Sequence, residues 1–252
     1  MYGHIPGIAL VTGGATGIGK AAAQAFAARG DCVIILDIDP ALGEATAAEI
    51  NETGREAMFI KTDVTSAVEV EQAIAAAFTR FKRIDYAFNN AGIEGQKAET
   101  LECTEDNWDR IIAVNLKGVF LCLKYQLPIM LQQRAGSIVN MASVAGQIAF
   151  PDTPAYCAAK GGVIQLTKAA ALEYASRGIR INAVCPAVIQ TGMIDRITGG
   201  CGAAQNRLAH LHPMKRAGYP EEVADVVTWL CSGASSFVTG QAISIDGGYT
   251  AS

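Results

Sequence analysis

Charge is sparse in this 252-residue chain, at 17% of residues, and histidine sparser still, at three. No lysine/arginine block occurs, and 20 basic against 24 acidic side chains leave a net charge of −4. That balance argues against a nucleic-acid-binding surface. The longest apolar runs, such as Cys32-Val33-Ile34-Ile35-Leu36, are strand-sized. They fall short of the ~20 residues a bilayer requires, so no membrane span is expected. The amino terminus, Met1-Tyr2-Gly3-His4-Ile5-Pro6, lacks a basic stretch followed by a long apolar one, and no secretory leader is expected. The seven cysteines, at 32, 103, 122, 157, 185, 201 and 231, are odd in number, form no C-x-x-C pair and mostly sit in apolar segments. They read as small core residues rather than a disulfide framework or zinc site, which implies a reducing, cytoplasmic compartment. His4, His210 and His212 are scattered, and on a strand the last two would face opposite ways, so no metal is expected.

What the chain has instead is apolar residues, half of the total, with a weak net charge, which excludes disorder as the main state. Strand-like apolar runs occupy residues 8–12, 32–37, 57–61, 84–89, 136–140, 179–185 and 242–245. Between them lie helical patterns at 17–29, 40–53, 66–80, 104–133, 153–177 and 220–231. Continuous apolar strands joined by helices of this length predict a doubly wound parallel sheet of about seven strands, covered by helices on both faces. Local signals mark helix ends: Thr104 with Asn107, Arg29-Gly30, Arg177-Gly178, and Pro220 followed by two glutamates. No linker or repeat interrupts the pattern, so residues 1–252 read as one α/β domain. The exception is 192–213, a connection carrying Gly192, Gly199, Gly200 and Gly202 with little apolar periodicity. It follows a strand's carboxyl end, where open α/β sheets bind ligands, and is expected to be a substrate lid.

The first strand runs directly into Gly13-Gly14-Ala15-Thr16-Gly17-Ile18-Gly19. A strand, a glycine-rich turn and a helix start in that order make an anion cradle, in which glycines let the backbone approach a pyrophosphate and free N–H groups favour its charge. The literal G-x-G-x-x-A string begins too late after the strand, so Gly13, Gly17 and Gly19 are the expected working glycines. Asp37 ends the second strand, about 20 residues past the turn, where a carboxylate accepts hydrogen bonds from the adenosine ribose. It would also repel a 2′-phosphate, and the flanking Thr16 and Ile38 offer no cation for one. The expected cofactor is therefore NAD(H) in preference to NADP(H). The alternative is a strand-end aspartate that only caps a turn.

Tyr156 and Lys160 lie four apart in a helical pattern, one turn apart on one face. A free phenol has a pKa of about 10 and is a poor base at neutral pH. A neighbouring ammonium favours the phenolate, and a shift of ~3 units corresponds to ~4 kcal/mol. An isolated Y-x-x-x-K would as readily be a surface pair. Here it comes after Thr12-Gly13-x-x-x-Gly17-x-Gly19, Asn89-Asn90-Ala91-Gly92, Asn115 and Ser143, in order and at familiar intervals. Together these resemble the short-chain dehydrogenase/reductase family in its compact, Rossmann-like form. The likeness runs from about Ile8 to Tyr249 and includes Asp63-Val64, Pro186 to Thr191, and Asp246-Gly247-Gly248.

The resemblance implies an NAD-dependent alcohol dehydrogenase or ketone reductase. In it Tyr156 is the general acid/base, Lys160 lowers its pKa and binds the nicotinamide ribose, Ser143 donates to the substrate oxygen, and Asn115 holds a water for proton relay. It implies cofactor contacts from Gly13, Thr16, Gly17, Ile18, Gly19, Asp37, Asp63, Val64, Ala91, Gly92, Pro186, Ile189 and Thr191, with Asn89 lining the cleft and bracing the sheet. It implies a homotetramer built on the long helices, with a dimer as fallback. One departure is visible: the family's usual Pro-Gly is Pro186-Ala187 here, and the extra methyl could narrow the space beside the nicotinamide.

The expected substrate is a small-molecule alcohol or ketone, cyclic or polar, bordered by Glu94, Gln96, Gln147, Phe150, Thr153, Val188 and Met193. An amine-bearing substrate paired with Glu94 is one expectation; side chains turned to solvent are the alternative. Two other functions stay open, a non-catalytic dinucleotide sensor and a lyase or epimerase that oxidises transiently.

Overall fold

The strands alternate between two cores. In β1 (Ile8–Thr12), Leu10 joins the apolar cluster on one side of the sheet while Ala9 and Val11 join the cluster on the other. In β2 (Cys32–Asp37), Ile34 and Leu36 oppose Val33 and Ile35 in the same way. Neither face can meet water, so both are covered. The computed structural model describes residues 6–251; His4 and the amino-terminal run read for a leader lie outside them.

The chain continues through α1 (Gly17–Ala28), before β2, then α2 (Pro40–Glu52), β3 (Ala57–Lys61), α3 (Ala67–Phe81) and β4 (Tyr86–Asn89). Next come α4 (Glu105–Ile112), α5 (Gly118–Gln133), β5 (Gly136–Met141) and α6 (Pro154–Tyr174). The last elements are β6 (Ile179–Pro186), α7 (Gly192–Thr198), α8 (Gly202–His210), α9 (Pro220–Leu230) and β7 (Ala242–Ile245). Seven strands pair in the order β3-β2-β1-β4-β5-β6-β7, every neighbour parallel. The order reverses between β1 and β4, the switch point at whose carboxyl ends such sheets bind ligands.

The expected caps are in place. The Thr104 hydroxyl accepts from the Asn107 N–H, and Gly178 ends the α6 region in the left-handed conformation. Glu222 accepts the Tyr219 N–H ahead of α9.

Two regions differ from the sequence expectation. The 104–133 pattern is not one regular α-helix: α4 and α5 are joined by a π-helical turn at Ala113–Lys117, a feature that concentrates at functional sites. The run Glu105–Gln133 is long and apolar enough to cross a membrane by length and composition. Its apolar residues, among them Val119, Leu123 and Met130, are instead built into the core under the sheet. The 192–213 connection holds two short helices, α7 and α8. Neither buries a side chain, which is why no apolar period marks them.

Candidate active site

At the switch point the turns after β1 and β4 are tied together. The Asn90 side chain donates to the Thr12 and Gly13 carbonyls, each at 3.0 Å, and the Thr12 hydroxyl accepts the Asn90 and Ala91 N–H groups at 2.9 and 3.1 Å. Gly13 has φ +62°, and a Cβ there would sit 2.9 Å from Ala91 Cα. A Cβ on Gly19 would lie 1.9 Å from the Gly13 carbonyl oxygen, so this glycine serves the close packing of α1 on the turn. The start of α1 receives no side-chain cap and has no acidic residue in its first turn, leaving N–H groups and the helix dipole to favour an anion.

From this turn runs a cleft of about 740 Å³. Gly13, Thr16, Gly17, Ile18, Asp37, Asp63, Val64, Ala91 and Gly92 line it, and so do Pro186, Ile189 and Thr191. A dinucleotide fits this set: a bare helix start and close-approach glycines in the middle, a carboxylate at one end, a phenol and an ammonium at the other. The Asp37 carboxylate accepts the Ala15 N–H at 3.0 Å and the Asp39 N–H at 3.1 Å, so it does cap a turn while facing the cleft. Its neighbours Leu36, Ile38, Thr62, Asp63 and Thr65 include no cation.

Asn89 stands apart from the cleft, which Asn90 lines in its place. The Asn89 amide is consumed in a buried network: it donates to Gln126 at 3.2 Å and to Asn140 at 2.9 Å and accepts from Gln126 at 2.8 Å. Period-2 alternation turns it into the sheet's core and leaves its successor at the rim.

Ser143, Tyr156 and Ala187 line both this cleft and a second cavity of about 590 Å³. A short helical turn, Val144–Gly146, holds Ser143 against α6, where a Cβ on Gly146 would meet the Lys160 carbonyl at 2.6 Å. Lys160 is buried, its Nζ donating to the Met141 carbonyl at 2.8 Å and lying 5.6 Å from the Tyr156 ring centre. Desolvation lowers its pKa to about 8. The expectation of an acidified phenol is not met by the chain alone: burial pushes Tyr156 up to about 12, opposed by a hydrogen bond with Ser143. Asn115 is buried in the π-helical turn, and its side chain both accepts from and donates to the Ile93 backbone at 2.8 Å. That amide is spoken for, so a relay water would have to use other atoms. Ala187 has no left-handed backbone angle, so the departure from glycine adds a methyl at the junction without strain.

Of the expected substrate residues, Glu94, Phe150, Thr153, Val188 and Met193 line the second cavity. Gln96 is exposed, its backbone held by the Asn107 side chain at 2.9 and 3.1 Å. Gln147 is drawn away to β7, bonding the Ala242 carbonyl and the Ser244 hydroxyl. Glu94 is already paired: Arg196 of α7 grips it with contacts of 2.6 and 3.2 Å and holds its pKa down. The expected substrate amine therefore has a competitor within the chain. Sequence reasoning missed Asn90, Arg196, His212 and Tyr249. Only Asn90, inside a quoted motif, carried a signal.

A model of the family described as enoyl-(acyl carrier protein) reductase matches residues 13–250. Cyclohexanol dehydrogenase of Acinetobacter sp. (strain SE19) is 42% identical over 243 residues, covering 96% of this chain and 94% of the relative. The 2-(S)-hydroxypropyl-CoM dehydrogenase 3 of Xanthobacter autotrophicus (strain ATCC BAA-1158 / Py2) is 40% identical, with 96% and 95% covered. The crystal structure of levodione reductase superposes with TM-score 0.94 at 38% identity, covering 97% of this chain and 98% of that one. With its parallel seven-stranded sheet and its motifs in register, the chain belongs to the short-chain dehydrogenase/reductase family, among members of about 250 residues.

Proposed function

We propose that the protein is an NAD(H)-dependent oxidoreductase that interconverts a secondary alcohol and a ketone, with Tyr156 as general acid and base. The observation that carries this reading is the junction itself: Ser143 and Tyr156 border both the dinucleotide-sized cleft and the second cavity, with Lys160 buried behind them. A bound nicotinamide supplies the hydride, or accepts it, and in the oxidised form brings a positive charge. In ketone reduction the carbonyl π pair moves to oxygen, which takes the phenol proton, while Ser143 donates a hydrogen bond to the same oxygen. The Lys160 ammonium stabilises the phenolate that remains. In alcohol oxidation the proton returns to Tyr156. The 192–213 segment acts as the lid, since Met193, Ile194 and Arg196 border both spaces.

The reading is supported at the cofactor end by Asp37 and by the uncharged or acidic side chains around it. A panel of secondary alcohols and ketones, assayed at the reduced-nicotinamide absorbance band with both cofactors, is expected to show NADH accumulating. Asp37→Ser should shrink the preference for NAD over NADP by about tenfold or more, the equivalent of at least ~1.4 kcal/mol. Equal use of NADP by the parent protein would overturn the cofactor assignment, and absence of net redox turnover would overturn the whole reading.

A homotetramer belongs to the same proposal. Its support is the apolar surface of the two long helices, where Phe120 of α5 and Leu172 of α6 are 47% and 85% exposed. Light scattering at micromolar concentration is expected to give four times the monomer mass. A monomer would contradict it.

A further inference from the structure

We infer that Phe150, Tyr249 and His212 form the specificity wall of the second cavity, and that this cavity takes an uncharged, substituted alicyclic ketone or alcohol. The inference rests on the oxidoreductase reading above and names its substrate class. The three rings come from distant parts of the chain and line one space. Phe150 and Tyr249 stack at 6.0 Å between centroids with 20° between planes; His212 and Tyr249 lie 5.3 Å apart at 40°.

Each ring is held from outside the cavity. His212 is 2% exposed; its Nε2 accepts the Val188 N–H at 3.4 Å. Nδ1 must then carry the ring proton, and it faces the Leu208 and Ala209 carbonyls at 3.1 and 3.2 Å. The Phe150 carbonyl accepts the Thr153 hydroxyl at 3.1 Å. Tyr249 is delivered by the Gly247-Gly248 turn, with φ values of +56° and +86°. The Asp246 carboxylate clamps that turn, accepting the Gly248 and Thr250 N–H groups at 3.0 and 2.8 Å. A Cβ on Gly248 would sit 3.1 Å from the Pro213 ring, so only glycine lets the carboxyl-terminal turn close on the end of the lid segment. The aromatic wall is thus preorganised.

The lid segment adds flexible aliphatic surface from Met193, Ile194, Ile197 and Leu211. Fixed flat rings on one part of the wall and adaptable aliphatics on another suit the C–H faces of a saturated ring. Such a ring surrenders little conformational freedom on binding, whereas an open chain of equal carbon count surrenders several rotors. The two charges nearest the lid, Glu94 and Arg196, neutralise each other, so a charged substrate must break their pair. Lys97 and Asp152 are exposed at the rim. About 590 Å³ is more space than one unsubstituted six-membered ring fills, hence a ring with substituents.

The test measures kcat and KM with NADH for 4-methylcyclohexanone, 2-heptanone and 4-oxocyclohexanecarboxylate. The ring ketone is expected to exceed the open-chain isologue and the carboxylate by about tenfold or more in kcat/KM, within the range that shape selection in an apolar pocket supplies. Phe150→Leu and Tyr249→Leu should each pull the ring-over-chain ratio toward unity, chiefly through KM for the ring ketone. A merely structural role would weaken both substrates alike. Parity of 2-heptanone or of the carboxylate with the ring ketone would overturn the inference, as would the parental ratio in both variants. If one variant does not fold, the other decides. Failure to reduce any of the three ketones, while secondary alcohols also fail with NAD, strikes the oxidoreductase reading rather than this substrate class.

Discussion

Tyr156→Phe is expected to lower turnover in both directions by about a thousandfold, within the range that positioned acid–base groups contribute, with NADH binding largely retained. Phenylalanine keeps the ring that packs beside Lys160 and removes the one proton that can pass to the substrate oxygen. Ser143 remains, but an aliphatic hydroxyl can polarise the carbonyl without becoming a stable base. Stopped-flow absorbance reads the hydride step, and fluorescence of bound NADH reads cofactor affinity. The parent's alcohol oxidation should climb with pH, because the phenolate is the required form, and ketone reduction should fall. Burial holds the phenol at about 12 in the chain alone, so a kinetic pKa below this measures what the bound cofactor's charge contributes. Near-parental turnover in the variant would refute the role of Tyr156.

Lys160→Met is expected to make the protein more stable and inactive. Desolvation takes the Lys160 pKa from 10.5 to about 8. Between those values the folded chain binds fewer protons than the unfolded one, so stability rises with pH through that window, and below pH 8 the full penalty applies. At ~1.4 kcal/mol per unit the buried ammonium costs ~3 kcal/mol at neutral pH. Methionine fills a similar volume and forfeits the bond to the Met141 carbonyl, a loss of ~1 kcal/mol. The net gain is about 2 kcal/mol at pH 7, shrinking as pH approaches 10.5. Tyr156 acts the other way: its folded pKa is raised to about 12, so its contribution is intact below pH 10 and is lost from there to 12. Urea unfolding at pH 7 and pH 9 checks both signs. A variant less stable than the parent at pH 7 would show that the ammonium's attractions outweigh its desolvation.

Much of this arrangement was legible in the residues. Strands with both faces buried appear as unbroken apolar runs, and the glycines at 13, 17 and 19 announce a turn that no side chain could line. The helices of 192–213 were not legible, because periodicity reports burial and these bury nothing. Gln96 and Gln147 were misplaced for a related reason. The backbone carries them past the cavity, but Asn107 and Ser244 decide where they end, and neither is a neighbour in sequence. The Glu94–Arg196 pair and the Phe150–Tyr249 stack join residues about a hundred apart, the range at which local pattern says nothing. The phenol's expected acidity failed on its own element, because spacing records the nearby ammonium but not the water excluded from both.

The π-helical turn at Ala113–Lys117 also acts as a phase adjuster. Each residue of an α-helix advances the side chains by about 100°, so one residue added within a turn delays everything after it by that angle. Upstream, Ile111 faces inward; downstream, Val119, Leu123 and Met130 do the same. Deleting a single residue from the turn would rotate that second set out of the interior and swing Asn115 off Ile93. The spacing between the two halves of this helix is therefore far less free to drift in length than its composition alone would indicate.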